Sequence, residues 1–134
     1  MGAKPKVLLV DDDPLMHRLY QPHLERAGYE MLGLMDGSEA GQVARRESPL
    51  VVVIDMVLPG ADGVATILDL QKSETTRAIP VIAISAHPQY HQFRQQLTRL
   101  GAQSFLSKPF SPGRLVSEIQ KVAPRQLGRA EMRA

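Results

Sequence analysis

Leu50-Val51-Val52-Val53-Ile54 is apolar at every position and largely β-branched. A strand with one wet face alternates polar and apolar residues. A run without alternation has both faces covered, as in a central strand of a parallel sheet flanked by helices. The run stops on a carboxylate, Asp55. An acid at the end of so apolar a strand is hard to explain as structure alone, because buried-edge carboxylates cluster at functional sites.

The rest of the chain repeats this theme. Lys6–Val10, Tyr29–Leu34, Pro80–Ser85 and Gln103–Leu106 are further short apolar runs. Helical spacing fills the gaps. Asp13-Pro14 opens a helix that Gly28 closes, with Asp as cap and Pro at the first position. Its apolar members are Leu15, Met16, Leu19, Tyr20 and Leu24, and Pro22 in its middle predicts a kink. Asp36-Gly37-Ser38 turns into a weaker helix over about Glu39–Arg46, where Gly41 costs backbone entropy. Val64–Lys72, Pro88–Leu100 and Pro112–Val122 complete the set. Five strands alternating with five helices predict right-handed βαβ crossovers and an α/β fold: a five-stranded parallel sheet, flavodoxin-like and doubly wound, in the order 2-1-3-4-5.

Length and composition narrow the function. At 134 residues the chain holds one domain. It has no cysteine, which excludes a disulfide framework, a thiolate zinc site and a cysteine nucleophile. The apolar runs fall far short of the roughly 20 residues that span a bilayer, and Met1–Lys6 does not read as a signal peptide. No membrane role and a cytoplasmic location are therefore expected. The formal charge of +2 invites a nucleic-acid reading, but aromatics are only 4% and Trp is absent, so stacking surfaces are scarce. The excess also belongs to the ends: Lys4 and Lys6 precede the body, and Arg125, Arg129 and Arg133 follow it, with Glu131 the tail's one acid. Val7–Ala123 alone carries a formal −2, and no nucleic-acid partner is expected. The expected organisation is an extension over 1–6, a domain over 7–123 and a tail or linker remnant over 124–134.

In open α/β sheets ligands bind at the carboxyl ends of the strands. Past the first strand stand Asp11, Asp12 and Asp13; the third ends in Asp55, the fourth in Ser85, and Lys108 follows the fifth. The order 2-1-3-4-5 brings these groups together. Clustered carboxylates repel one another unless a proton or cation intervenes, and oxygen donors suit Mg²⁺. A carboxylate can also act as a nucleophile and form an acyl phosphate, with a hydroxyl and an ammonium binding the phosphoryl oxygens. Asp55 is then the acceptor, Asp11 and Asp12 hold the metal, and Ser85 and Lys108 grip the product, while Asp13 is the helix cap. The four histidines, His17, His23, His87 and His91, lack partners at metal-ligand or acid–base spacing and are read as surface or interface residues.

Val-Asp-Asp-Asp-Pro (10–14), Val-Ile-Asp-Met-Val-Leu-Pro-Gly-Ala-Asp-Gly (53–63), Ile-Ser-Ala-His (84–87), Leu-Gly-Ala (100–102) and Phe-Leu-Ser-Lys-Pro-Phe (105–110) stand in this order over nearly the whole chain. In this the chain resembles the receiver domain of two-component response regulators, the family of the bacterial chemotaxis regulator. The resemblance implies that Asp55 is phosphorylated from a histidine of a sensor kinase or phosphotransfer protein. It implies that Asp12, Asp55 and the backbone carbonyl of Val57 coordinate Mg²⁺ with help from Asp11, and that Lys108 contacts the phosphoryl group. It further implies a cis Lys108-Pro109 bond, a switch hydroxyl at Ser85 and an aromatic switch position at Phe105. Without a phenolic hydroxyl Phe105 must work by packing, and strand alternation alone would also make it core.

Two other functions compete. One is a phosphatase or phosphotransferase with an aspartyl nucleophile, as in haloacid-dehalogenase-like hydrolases; those need a second acid two residues on, where this chain has Val57, and a cap to enclose substrate. The other is a phosphate-independent binding module on the same fold. The receiver reading makes the chain a single-domain regulator or part of a longer protein. Its output partner or effector and any homodimerisation stay open.

Overall fold

The computed structural model describes residues 4–57, 62–87 and 94–124. Five strands, β1 (Lys6–Val10), β2 (Glu30–Leu34), β3 (Val51–Asp55), β4 (Val81–Ser85) and β5 (Ser104–Ser107), form one sheet in the order β2-β1-β3-β4-β5. All four pairings are parallel, as the unalternating Val-rich runs predict. The helices are α1 (Pro14–Arg26), α2 (Ala40–Glu47, preceded by a 3-10 turn at Gly37–Glu39), α3 (Gly63–Lys72), α4 (described over Arg94–Leu100) and α5 (Pro112–Val122).

Strand periodicity divides the apolar residues between two cores. Leu8, Val10, Val52, Ile54, Val81, Ala83 and Phe105 face α2, α3 and α4, where they meet Val43, Ile67, Leu70 and Leu97. Their chain neighbours Val7, Leu9, Val51, Val53, Ile82, Ile84 and Leu106 face α1 and α5, against Tyr20, Leu24, Leu115 and Ile119. Each aliphatic side chain so buried contributes about 1.5–3 kcal/mol.

The expected Asp13 cap forms, its carboxylate accepting from the Leu15 N–H at 2.9 Å; Asp62 caps α3, accepting from Ala65 at 2.7 Å, and Ser111 Oγ caps α5, accepting from Arg114 at 3.0 Å. One local reading changes. The buried stripe of α1 is Tyr20 and Leu24 with Met16 half-buried, spaced four apart, whereas Leu15 and Leu19 are 63% and 50% exposed. Pro22 lies inside α1 as expected; it and Arg18, whose carbonyl loses its donor, both lie on the exposed side. β1 begins at Lys6, as the first apolar run predicts, and the Lys6 ammonium pairs with Glu47 at 2.7 Å. The expected start of the fourth helix and His91 lie outside the described residues, as does the tail from 125 on.

Candidate functional site

Register brings the polar residues together. Val10 lies opposite Ile54, so Asp11 and Asp55 follow side by side; Asp55 lies opposite Ile84, and Ser85 opposite Ser107, which precedes Lys108. The backbone ladder runs on through the site. The Asp11 N–H donates to the Leu34 carbonyl at 3.0 Å, Met56 to Ile84 at 2.9 Å, and Lys108 to Ser85 at 2.9 Å. These side chains therefore stand on the rigid ends of strands.

Asp11 is wholly buried, Asp55 5% exposed and Ser85 2% exposed, while Asp12 reaches solvent. One carboxylate oxygen from each of Asp11, Asp12 and Asp55 lies within 4.8 Å of the others. The Lys108 ammonium sits across from them, 2.7 Å from Asp55 Oδ2 and 2.8 Å from Asp11 Oδ2. It donates a directed hydrogen bond to Asp55, whereas Asp11 Oδ2 has the cation beside it but receives no directed hydrogen bond. Backbone donors engage the remaining oxygens: Val57 N–H to Asp55 Oδ1 at 2.9 Å and Asp13 N–H to Asp11 Oδ1 at 2.9 Å.

Protonation reflects crowding. Burial pushes the Asp11 carboxyl above its ordinary value, and the Asp55 charge adds to this; Lys108 and the Asp13 N–H pull the other way without winning. For Lys108 burial works to lower the pKa, but its contacts with Asp11 and Asp55 outweigh burial and hold the ammonium above its ordinary range. Among the described residues Lys108 is the cation set against Asp11 and Asp55, Asp12 stands beside them, and Asp11 Oδ2 lacks a directed donor. This donor set fits a hard divalent ion, which takes oxygen ligands and would relieve the repulsion.

The chain is thus an acid pocket at the carboxyl edge of a 2-1-3-4-5 sheet, and residues 7–120 match the response regulator receiver domain family. This chain belongs to that family. It is similar to the probable transcriptional regulator ycf27 of Porphyridium aerugineum, at 33% identity over 124 residues. It is 32% identical over 121 residues to the alkaline phosphatase synthesis transcriptional regulatory protein PhoP of Bacillus subtilis. These alignments take in 91% and 90% of the chain but 49% of each regulator, so the chain spans about half the length of the relatives it matches. In structure it resembles the receiver domain of the sensor histidine kinase PA1611 of Pseudomonas aeruginosa, solved with magnesium in its active-site cleft. The TM-score is 0.80 at 27% identity, covering 90% of this chain and 98% of that one. The chemotaxis response regulator CheY4 of Vibrio cholerae aligns with TM-score 0.81 at 27% identity, covering 89% and 98%.

The receiver fold thus gathers Asp11, Asp12, Asp55, Ser85 and Lys108 as expected. Ser85 Oγ accepts from the His87 N–H at 3.0 Å, and Val57, exposed, follows Asp55 by two residues. The Lys108-Pro109 bond is cis. Phe105, 7% exposed, lies in the core facing α2, α3 and α4 rather than in the polar cluster. His17 corrects the surface reading: it is half-buried, with Nε2 2.8 Å from the Asp11 carbonyl. That contact spans six residues from helix to loop, and no local spacing rule reveals it. Tyr20, in sequence only an apolar member of the first helix, has a polar role as well. Its hydroxyl donates to the Phe110 carbonyl at 2.7 Å and its ring stacks on Phe110 at 5.4 Å, which ties α1 to the segment carrying Lys108. Among the described residues no helix is long and apolar enough to cross a membrane.

Proposed function

We propose that Asp55 is the phosphoacceptor of a Mg²⁺-dependent switch fed by a sensor histidine kinase or a histidine phosphotransfer protein. The observation that carries this reading is one ammonium, Lys108, held within 2.8 Å of two buried carboxylates, Asp55 and Asp11, with Asp12 beside them. An Asp55 oxygen attacks the phosphorus of a phosphohistidine; the P–N bond breaks, the imidazole keeps its electron pair, and an acyl phosphate forms. Lys108, a point charge on a flexible stem, moves from the Asp55 carboxylate to the new phosphoryl oxygens. Asp11, Asp12, Asp55 and the Val57 carbonyl would hold Mg²⁺, which when bound supplies a Lewis acid for the phosphoryl oxygens.

The output is a shift in population. A phosphoryl group adds charge and acceptor oxygens next to the Ser85 hydroxyl. Ser85 leaves the His87 N–H to meet them, and the change passes along β4 to Phe105 on the paired strand β5 and to the face of α4, β5 and α5, which a partner or effector domain reads. Val57, where an aspartyl hydrolase would need a second acid, favours a switch over a turnover enzyme. The setting for such a kinase-fed switch is the cytoplasm, with neither nucleic acid nor membrane as the direct ligand of this domain.

Beryllofluoride, a phosphoryl mimic, provides the test. With Mg²⁺ it should shift the amide resonances of Ser85, Phe105 and Lys108 in the wild type and leave Asp55→Asn unchanged. A silent wild type, or the same shifts in the variant, would overturn the reading.

A further inference from the structure

Asp11 is fixed from every side. Its N–H is tied to Leu34 of β2, its Oδ1 to the Asp13 N–H, and its carbonyl to His17 Nε2 at 2.8 Å. A carbonyl oxygen only accepts, so Nε2 carries the hydrogen and donates. That carbonyl belongs to the peptide unit whose N–H is Asp12's. The imidazole therefore holds the one plane from which the buried acid and the solvent-facing acid both branch.

Room for the ring comes from β2. Gly33 lies beside Leu9 in the sheet, and a Cβ built on it would fall 2.5 Å from His17 Nδ1 and 3.0 Å from Cε1. Glycine weakens a strand interior and often marks a close approach by another group. Here the approaching group is the His17 ring, and a side chain at position 33 would drive it off the Asp11 carbonyl. His17 and Gly33 form one device, built from α1 and β2, that bears on the peptide between the two strand-end acids.

We infer that His17 is a positioning residue for the acid pocket: its Nε2–H, in space left by Gly33, sets the Asp11–Asp12 peptide and so the placement of both carboxylates for a divalent cation. The inference rests on the proposed reading of that pocket. Groups that orient metal ligands typically change affinity by 10–100-fold when lost. Acting through a backbone carbonyl, His17 belongs at the low end of that range.

Mg²⁺ titration of the full chain, followed by amide resonances, tests this in wild type, His17→Leu, His17→Gln and Gly33→Ala. His17→Leu and Gly33→Ala should each weaken Mg²⁺ binding roughly tenfold. Both should also move the Asp12 amide in the metal-free protein, because its peptide has lost a donor. His17→Gln keeps an N–H at the corresponding reach and should restore both readouts. Gly33→Ala gains strand propensity, so its melting temperature should hold or rise while its Mg²⁺ affinity falls, a split that general loosening would not produce. Wild-type affinity in either donor-lacking arm, or a Gln variant as weak as Leu, overturns the inference. A wild type without saturable Mg²⁺ shifts instead overturns the pocket reading, and the inference with it.

Discussion

Replacing Asp11 by Asn should stabilise the metal-free protein. Carboxylate oxygens of Asp11 and Asp55 lie within 4.8 Å of each other, and at that outer limit an effective dielectric of about 20 gives a repulsion of about 3.5 kcal/mol. The exposed Asp12 adds less because water screens it. Lys108, 2.8 Å from Asp11, returns about 6 kcal/mol on the same scale. The attraction exceeds the repulsion, and the cost of burying the carboxylate outweighs that difference and decides the sign, in keeping with the raised pKa of Asp11. A raised carboxyl pKa means that the folded protein keeps a proton the unfolded chain has lost. Stability therefore falls as pH rises from the ordinary Asp value through the folded one. Asn has no such loss. At neutral pH in EDTA the gain should be on the order of 1 kcal/mol, or about 3–5 °C in melting temperature. Mg²⁺ should invert the order: at 100 times its Kd it adds about 2.7 kcal/mol to the wild type, and less to a variant short of one ligand. Circular-dichroism melts from pH 4 to 8, with and without Mg²⁺, measure all of this. A variant melting below wild type in EDTA at neutral pH, or one that keeps the full Mg²⁺ gain, refutes the reasoning.

Removing the cation should do the reverse. Lys108→Met leaves Asp11 and Asp55 facing each other and should cost about 3 kcal/mol in a denaturant titration without metal. Two glycines should part company on substitution by Ala. At Gly63 the new Cβ would lie 2.6 Å from the Met56 Cα and 2.9 Å from the Asp55 carbonyl, backbone that cannot step aside, so a loss of about 1–3 kcal/mol and slower phosphorylation are expected. At Gly41 the obstacles are the movable ends of Asp69 and Arg45, and helix propensity should leave stability unchanged or raised by up to about 1 kcal/mol. Ser104→Ala takes the hydroxyl partner from the buried Glu118 carboxylate and leaves it the Arg114 guanidinium at 3.1 Å; about 1–2 kcal/mol should be lost in the same titration.

The sheet was legible because unalternating strands and capped helices carry strong local signals. Val51–Val53 and Val81–Ile84 could hardly be anything but buried strands, and strand ends plus topology then placed Asp55, Ser85 and Lys108 together. Contacts between elements carry no such signal. His17 meets Asp11 because of how α1 leans on β2, and its partner Gly33 reads in sequence only as a weak point in a strand. Glu118, buried yet paired to Ser104 and Arg114, looks like one more charge on an amphipathic helix. The α1 stripe failed for a related reason. Leu15–Leu19 and Met16–Tyr20–Leu24 are adjacent rows on one helix, and only the docking of Tyr20 against Phe110 selects between them.

Intact-mass measurement after incubation with a small phosphodonor and Mg²⁺ puts the most direct question to the switch. One phosphoryl adduct is expected on the wild type, lost when Mg²⁺ is chelated and absent from Asp55→Ala. A wild type that gains no adduct, or an Asp55→Ala variant that gains the same one, would contradict it.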